Sequence, residues 1–235
     1  MSRDPNDHRS FYQRVQDFTA GSNARQFWNS VRNYREQKRE TPVVFSLPRI
    51  VQIEVTNRCN LRCIFCSHAL EEMEEGSLSD ELVEPLLELT RSAQEVILFG
   101  YGEPLLAKSF YRFLEECRAA RLSFYTNGVL LTKAKAEEVF SHARRPIFSI
   151  TFSVDGATAA TYDSIRGEGN FERVLHNIKD VAAVRGKEPY PRFYAEFVAC
   201  RRTIEELPDA VRLCKYDPVA DRMLARAIRE PWRQV

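Results

Sequence analysis

The sequence predicts an α/β fold: a partial (β/α)6 barrel of parallel strands over residues 47–235, preceded by a helical N-terminal extension over residues 1–46. Three observations predict it. From Pro48 onward, short runs rich in β-branched and aromatic residues alternate with amphipathic stretches of helical period, the pattern of repeated βα units. Right-handed connections between such units curl a parallel sheet into a full or partial barrel. Glycine, asparagine, serine and aspartate then recur at the ends of successive strand runs, the end at which barrel enzymes carry their chemistry.

The extension contains two helical runs, one with Phe11, Val15 and Phe18 and one with Phe27, Trp28, Val31 and Tyr34. Its small excess of positive charge suits helices packed on the outside of the barrel better than a membrane-surface element. Six strands are expected, at residues 50–56, 95–99, 122–126, 147–154, 192–198 and 219–225. Helices are expected between them at 79–92, with Asp80 and Glu81 in its first turn, and at 109–121, 132–140, 171–184 and 203–216. Thr203 followed by Glu206 has the spacing of a capping box, whereas Pro85 and Pro208 fall inside their helical segments.

With 235 residues, 44% apolar and 29% charged, the chain has the composition of one globular domain with a sizeable core. A formal net charge of +1 gives no nucleic-acid footprint. No run of membrane-spanning length and no secretory leader are visible, so a cytoplasmic protein is expected. Of six cysteines, three are clustered while Cys117, Cys200 and Cys214 are scattered, which argues for a reducing compartment rather than a disulfide framework. The scattered three read as small buried hydrophobes.

The chemistry centres on Cys59, Cys63 and Cys66. Thiolates are soft ligands for an iron–sulfur cluster or zinc, and three of them on a cubane leave one iron open. Structural zinc takes four protein ligands, and the nearest fourth candidate is His68. Further along, Gly100-Tyr101-Gly102-Glu103-Pro104, Thr126-Asn127-Gly128 and Ser153-Val154-Asp155-Gly156 follow the second, third and fourth strand runs. Each alone reads as a turn; their shared placement speaks for one site.

The spacing Cys59-x3-Cys63-x2-Cys66, with Phe65 before the third cysteine, resembles the cluster loop of the radical S-adenosylmethionine (radical SAM) superfamily, and the resemblance covers residues 48–215. It implies an oxidoreductase or transferase with a [4Fe-4S] cluster whose free iron binds S-adenosyl-L-methionine. In that family, reductive cleavage gives a 5′-deoxyadenosyl radical that takes hydrogen from a substrate, with electrons from a low-potential donor of flavodoxin or ferredoxin type. Gly100, Gly102 and Glu103 resemble the family's glycine-rich segment, which binds the ammonium of S-adenosylmethionine, although Tyr101 replaces its second glycine. Ser153 and Asp155 match the Ser-x-Asp-Gly segment of the subfamily of peptide-modifying and sulfatase-maturing enzymes. The resemblance implies Ser153 at the methionyl carboxylate or ribose and Asp155 at the ribose hydroxyls. Arg166, in Tyr162-Asp163-Ser164-Ile165-Arg166-Gly167, matches the arginine that meets the methionyl carboxylate as a bidentate fork. Phe65 offers a face to the adenine, and Asn127 lines or turns the site. No catalytic residue is assigned beyond the cluster.

The subfamily resemblance makes a peptide or protein the favoured substrate class. Its members commonly continue into a cysteine-rich carboxy-terminal domain called SPASM, with auxiliary clusters. With no cysteine after Cys214, this chain is expected to lack that domain and hold one cluster. Two other readings stand beside this one: a noncatalytic or truncated iron–sulfur or zinc protein, and a radical SAM methyltransferase.

Overall fold

A computed structural model describes residues 21–70, 73–216 and 222–227 of the chain. Its strands are β1 (Ile50–Ile53), β2 (Glu95–Leu98), β3 (Arg121–Thr126), β4 (Ser149–Ser153), β5 (Arg192–Ala199) and β6 (Arg222–Ala227). They form one sheet in the order β1-β2-β3-β4-β5-β6, with every pair parallel. Between them run α2 (Asp80–Thr90), α3 (Lys108–Glu116), α4 (Lys133–His142), α5 (Ala159–Arg166), α6 (Asn170–Arg185) and α7 (Leu207–Tyr216), preceded by α1 (Ala24–Arg39).

The register explains the two faces of the sheet. Val51 pairs with Val96, Val96 with Leu122, Phe124 with Ile150 and Phe152 with Ala195, so these apolar residues share the face that the helices cover. With Val83 and Leu87 of α2, Phe110 and Phe113 of α3, Val139 of α4 and Val174, Ile178 and Val181 of α6, they form the hydrophobic core. Phe110 and Phe124 meet edge to face at 5.2 Å and are wholly buried, each contributing about 1.5–3 kcal/mol of transfer free energy. The opposite face is polar: Ser149 donates to Ser123 at 3.0 Å, and Ser123 to Glu95 at 3.2 Å.

The elements follow the alternation in the sequence, with several corrections. The helix expected over 109–121 ends at Glu116, because Cys117 turns to ψ 133° and Arg121 is already paired with Glu95 in the sheet. Helix α5 was not anticipated; its turn-like sequence is helical because Thr158 caps it by accepting from Thr161 N. The capping box at Thr203 does not form. Thr203 instead donates to Val198 O, residues Ile204–Glu206 make a 3₁₀ turn, and Pro208 becomes the second residue of α7, a position that lacks no hydrogen bond. Pro85 remains inside α2.

Helix α1 occupies the expected place but docks through the unexpected face. Gln26 and Ser30 are buried while Trp28 is 65% exposed. Gln94 donates to Gln26 O and Ser30 Oγ, Gln26 donates to Arg118 O, and Asn29 donates to Ser92 O. The run with Phe11, Val15 and Phe18 lies outside the described residues, as does the side chain of Cys214. Among the described residues, no helix is long and apolar enough to cross a membrane.

Candidate active site

The loop after β1 carries the three clustered cysteines and is braced on three sides. Thr56 Oγ1 donates to Gly76 O at 2.7 Å and Asn57 Nδ2 to Glu74 O, which fixes the start of the loop. Arg58 O accepts from Glu103 N at 2.8 Å, tying it to the segment after β2. Ile64 N donates to Ile165 O at 3.1 Å, tying its middle to α5. Cys59, Cys63 and Cys66 are half-buried free thiols. Burial pushes the thiols of Cys59 and Cys63 up. Cys66 adds to the rise at both, and Cys59 to that at Cys63, so the three sulfurs lie within one another's fields.

Around them stand the ends of β2 to β5. Glu103 is 1% exposed; its carboxyl accepts from Thr126 Oγ1 at 2.9 Å, from Asn127 N at 2.8 Å and from Leu105 N. Burial raises its pKa to about 7 although those bonds lower it. The glutamate thus orders the loops after β2 and β3. Asn127 donates through Nδ2 to Asn60 Oδ1 at 2.9 Å and to Cys59 Sγ at 3.8 Å, while its Oδ1 accepts from Val129 N. Asn177 of α6, buried, donates to Gly128 O and holds that turn in place.

The glycines after β2 have a packing reason that the sequence did not show. A Cβ on Gly100 would meet Glu54 Oε1 at 2.3 Å, and one on Gly102 would meet Thr56 O at 2.1 Å and Arg58 O at 2.7 Å. Their absence of side chains lets the β2 loop lie on the cysteine loop. Tyr101 between them is half exposed, with its N–H donated to Glu54 Oε1.

Asp155 and Arg166 form a buried pair. Arg166 Nε donates to Asp155 Oδ2 at 2.7 Å and Nη2 bonds the same oxygen, while Asp155 Oδ1 accepts from Val198 N at 2.7 Å. Burial alone would lower the arginine's pKa; the charge of Asp155, then of Cys63 and Tyr162, drives it further up. Asp155, with both oxygens engaged, positions Arg166 and caps β5. Arg166 Nη1 carries no hydrogen bond among the described residues. Ser153 closes β4, half-buried and in register with Glu196, and Phe65 is half-buried beside Cys66. Among the described side chains, the other two free cysteines stand apart, Cys117 at the end of α3 and Cys200 beside Thr203.

Sequence reasoning missed Glu54, Asn60 and Glu206. Glu206 accepts from Ala157 N, Thr158 N and Oγ1, and Thr161 Oγ1, fastening the start of α5. Only Glu206 had a legible signal, its offset from Thr203, and that signal pointed to the wrong bond.

The donor set fits an iron–sulfur cluster better than zinc. Among the described residues, no three His, Cys, Asp or Glu side chains are grouped to hold a single metal ion. His68 does not complete a zinc set: its ring is buried and lies 3.6 Å from Glu75. Three soft sulfurs remain, and burial holds the protons on Cys59 and Cys63 that iron would displace.

Similarity to known proteins agrees. The AdoMet-dependent heme synthase of Methanosarcina barkeri (strain Fusaro / DSM 804) is 30% identical over 173 residues, covering 72% of this chain and 47% of its own length. The mycofactocin maturase MftC of Mycobacterium tuberculosis (strain ATCC 25618 / H37Rv) is 31% identical over 133 residues, covering 55% of this chain and 33% of its own. The PqqA peptide cyclase of Bradyrhizobium diazoefficiens is 28% identical over 194 residues, with 80% and 48% covered. Among solved structures, Streptococcus suis SuiB bound to S-adenosylmethionine superposes with a TM-score of 0.65 at 18% identity, over 88% of this chain and 47% of SuiB, a likeness of fold. The chain spans a third to a half of these relatives' length. The model of the Radical SAM superfamily matches residues 53–214, from the end of β1 into α7, and the chain belongs to that superfamily.

Proposed function

We propose that the protein is a radical SAM enzyme acting on a peptide or protein substrate. The observation that carries this reading is the grouping of the Cys59, Cys63 and Cys66 thiols at the end of β1, inside a ring of residues from the ends of β2 to β5. The three cysteines would hold a [4Fe-4S] cluster. When bound, it supplies an electron for reductive cleavage of S-adenosylmethionine, giving the 5′-deoxyadenosyl radical that takes hydrogen from the substrate. A low-potential flavodoxin- or ferredoxin-type protein is the electron donor in this reading, and the cytoplasm its compartment.

The chain's own residues bind and orient. Asp155 fixes the plane of Arg166, whose Nη1 is left to meet the methionyl carboxylate, with Ser153 at the neighbouring strand end. Asp155 itself serves the arginine in place of the ribose contact expected from sequence. Glu103 is consumed by loop bonds, so the ammonium falls to backbone carbonyls of residues 100–102. Asn127 donates toward Cys59 and steadies that ligand, and Phe65 faces the adenine. The peptide class is drawn from similarity to the PqqA peptide cyclase, and SuiB has been solved bound to its precursor peptide SuiA.

Anaerobic reconstitution should give about four irons per chain, the content of one cluster, and dithionite with S-adenosylmethionine should yield 5′-deoxyadenosine. Replacing Cys59, Cys63 and Cys66 together by Ala should abolish both. Stoichiometric zinc with no iron in wild-type protein prepared without oxygen would sink the proposal. Ser153→Ala and Arg166→Lys should each weaken S-adenosylmethionine binding by roughly ten- to hundredfold, the cost of one charge-assisted bond, at unchanged iron content. Calorimetry showing wild-type affinity in both would remove these two residues from the site.

A further inference from the structure

Among the described residues, Glu54 is the carboxylate of the site with an oxygen left over. Glu103 accepts from Thr126, Asn127 and Leu105, Asp155 is divided between Arg166 and Val198 N, and Glu196 of β5 is engaged as well. Glu54 accepts a single bond, from Tyr101 N to Oε1 at 2.5 Å, and its Oε2 meets no donor and no cation among the described residues.

An exposed glutamate is ordinarily a hydrated, wandering side chain, but this one is seated. Ile53 and Val55 on either side of it are buried in the core, so strand alternation turns Glu54 to the opposite face. The bond from Phe99 N to Ile53 O sets it beside the end of β2. Its carboxyl then lies over Gly100, where a Cβ would come within 2.3 Å of Oε1, 2.4 Å of Cγ and 2.5 Å of Cδ. Any side chain at position 100 would expel it. The glycine thus makes room for a carboxylate, and the Tyr101 N–H fixes one of its oxygens while the other stays open.

The open charges around the cysteine loop fall into a pattern. Where the loop is tied to the segment after β2, by the bond from Glu103 N to Arg58 O, Glu54 offers an anionic oxygen over Gly100. Where it is tied to α5, by the bond from Ile64 N to Ile165 O, Arg166 offers Nη1. An open carboxylate oxygen and an open guanidinium nitrogen flanking one loop match the two groups of an α-amino acid, its amino group and its carboxylate.

We propose that Glu54 is a binding residue for the methionyl amino group of S-adenosylmethionine, accepting its N–H donors on Oε2 while Arg166 takes the carboxylate. Backbone carbonyls of residues 100–102 carry only partial charge, and Glu54 adds a full negative charge on the same segment. This role rests on the cluster reading above, and the two fail separately: wild-type protein that takes up no iron, or that binds no S-adenosylmethionine, overturns that reading before Glu54 is tested.

The test compares S-adenosylmethionine with its deamino analogue, which keeps the carboxylate, the sulfonium and the adenosine but has hydrogen in place of the amino group. Binding to reconstituted protein is measured by calorimetry and referred to cluster content. Glu54→Gln keeps an acceptor for Tyr101 N and removes the charge. It should hold wild-type iron, bind S-adenosylmethionine roughly tenfold more weakly than wild type, the cost of one charge-assisted bond, and bind the deamino analogue as wild type does. Equal weakening toward both ligands would mean that Glu54 only shapes the loop or faces the sulfonium, and undiminished binding of S-adenosylmethionine would mean that it faces water; either result overturns the proposal. If Glu54→Gln takes up no cluster, a crystal structure of the wild-type protein loaded with cluster and S-adenosylmethionine decides. An amino nitrogen within about 4 Å of Glu54 Oε2 supports the pairing, and a longer separation overturns it.

Discussion

Glu103 and Arg166 show how far single buried charges shape this protein. The Glu103 carboxyl sits at a pKa of about 7 against an ordinary 4.5, so the folded state binds its proton more tightly than the unfolded chain does. Its contribution to stability is then fully present below about pH 4.5 and is lost as pH rises toward 7. In metal-free, reduced protein, the stability difference between wild type and Glu103→Gln should shift against the wild type by on the order of 3 kcal/mol across that window. Urea denaturation at several pH values measures it, and parallel curves would show that the carboxyl is ionised throughout. Arg166→Ala should cost about 3–5 kcal/mol, because it strands the fully buried Asp155 beside a single backbone donor. The cysteine triplet and Arg166 were legible because spacing and neighbouring residues mark them in one dimension. The bonds of Glu103 and Asp155 were not, since a carboxylate's partners lie tens of residues away and leave no local pattern.

At the scale of elements, helix α5 is the part on which the site turns, and Glu206 on the far side of β5 holds it. Burial works to raise the Glu206 pKa, but bonds from Thr161, Ala157 and Thr158 outweigh it and hold the carboxyl below the usual range. The sign is opposite to that of Glu103: its stabilisation is present above the ordinary carboxylate pKa and fades as pH falls through the lowered one. Glu206→Gln should therefore cost about 1–2 kcal/mol at pH 7, with the deficit shrinking in acid, as denaturation curves would report. Gly102→Ala should be far worse than its size suggests, since the new methyl would meet the backbone oxygens of Thr56 and Arg58, which cannot move aside like a side chain. Loss of iron uptake without loss of secondary structure in circular dichroism would place that damage at the cysteine loop. Alternation of β-rich and amphipathic runs made the strands and most helices readable. Helix α5 was hidden because Asp155-Gly156 and a threonine-rich start resemble a turn, and the docking face of α1 because its buried residues, Gln26 and Ser30, are polar.

For the whole molecule, the fold is a parallel sheet in which each strand lies beside its neighbours in sequence, from β1 to β6. Helix α1 is attached to its base by hydrogen bonds from Gln94, Gln26 and Asn29 rather than by an apolar seam. Gln94→Leu should accordingly release α1, seen as faster amide exchange across residues 24–39, while the core strands keep their protection. The strand order also has a consequence in time. During synthesis the cysteines leave the ribosome with β1, but the residues that wall them arrive in succession, Glu103, Asn127, Asp155 and Arg166, and Val198, which caps Asp155, comes last. At roughly 5–20 residues per second, the 132 residues from Cys66 to Val198 take about 7 to 26 s. Over that interval the wall around the three thiols is built up piece by piece, so they are ligands before there is a complete site. Iron that arrives early meets a peptide, and iron that arrives late meets a pocket, so the moment of metal delivery selects which of the two it binds.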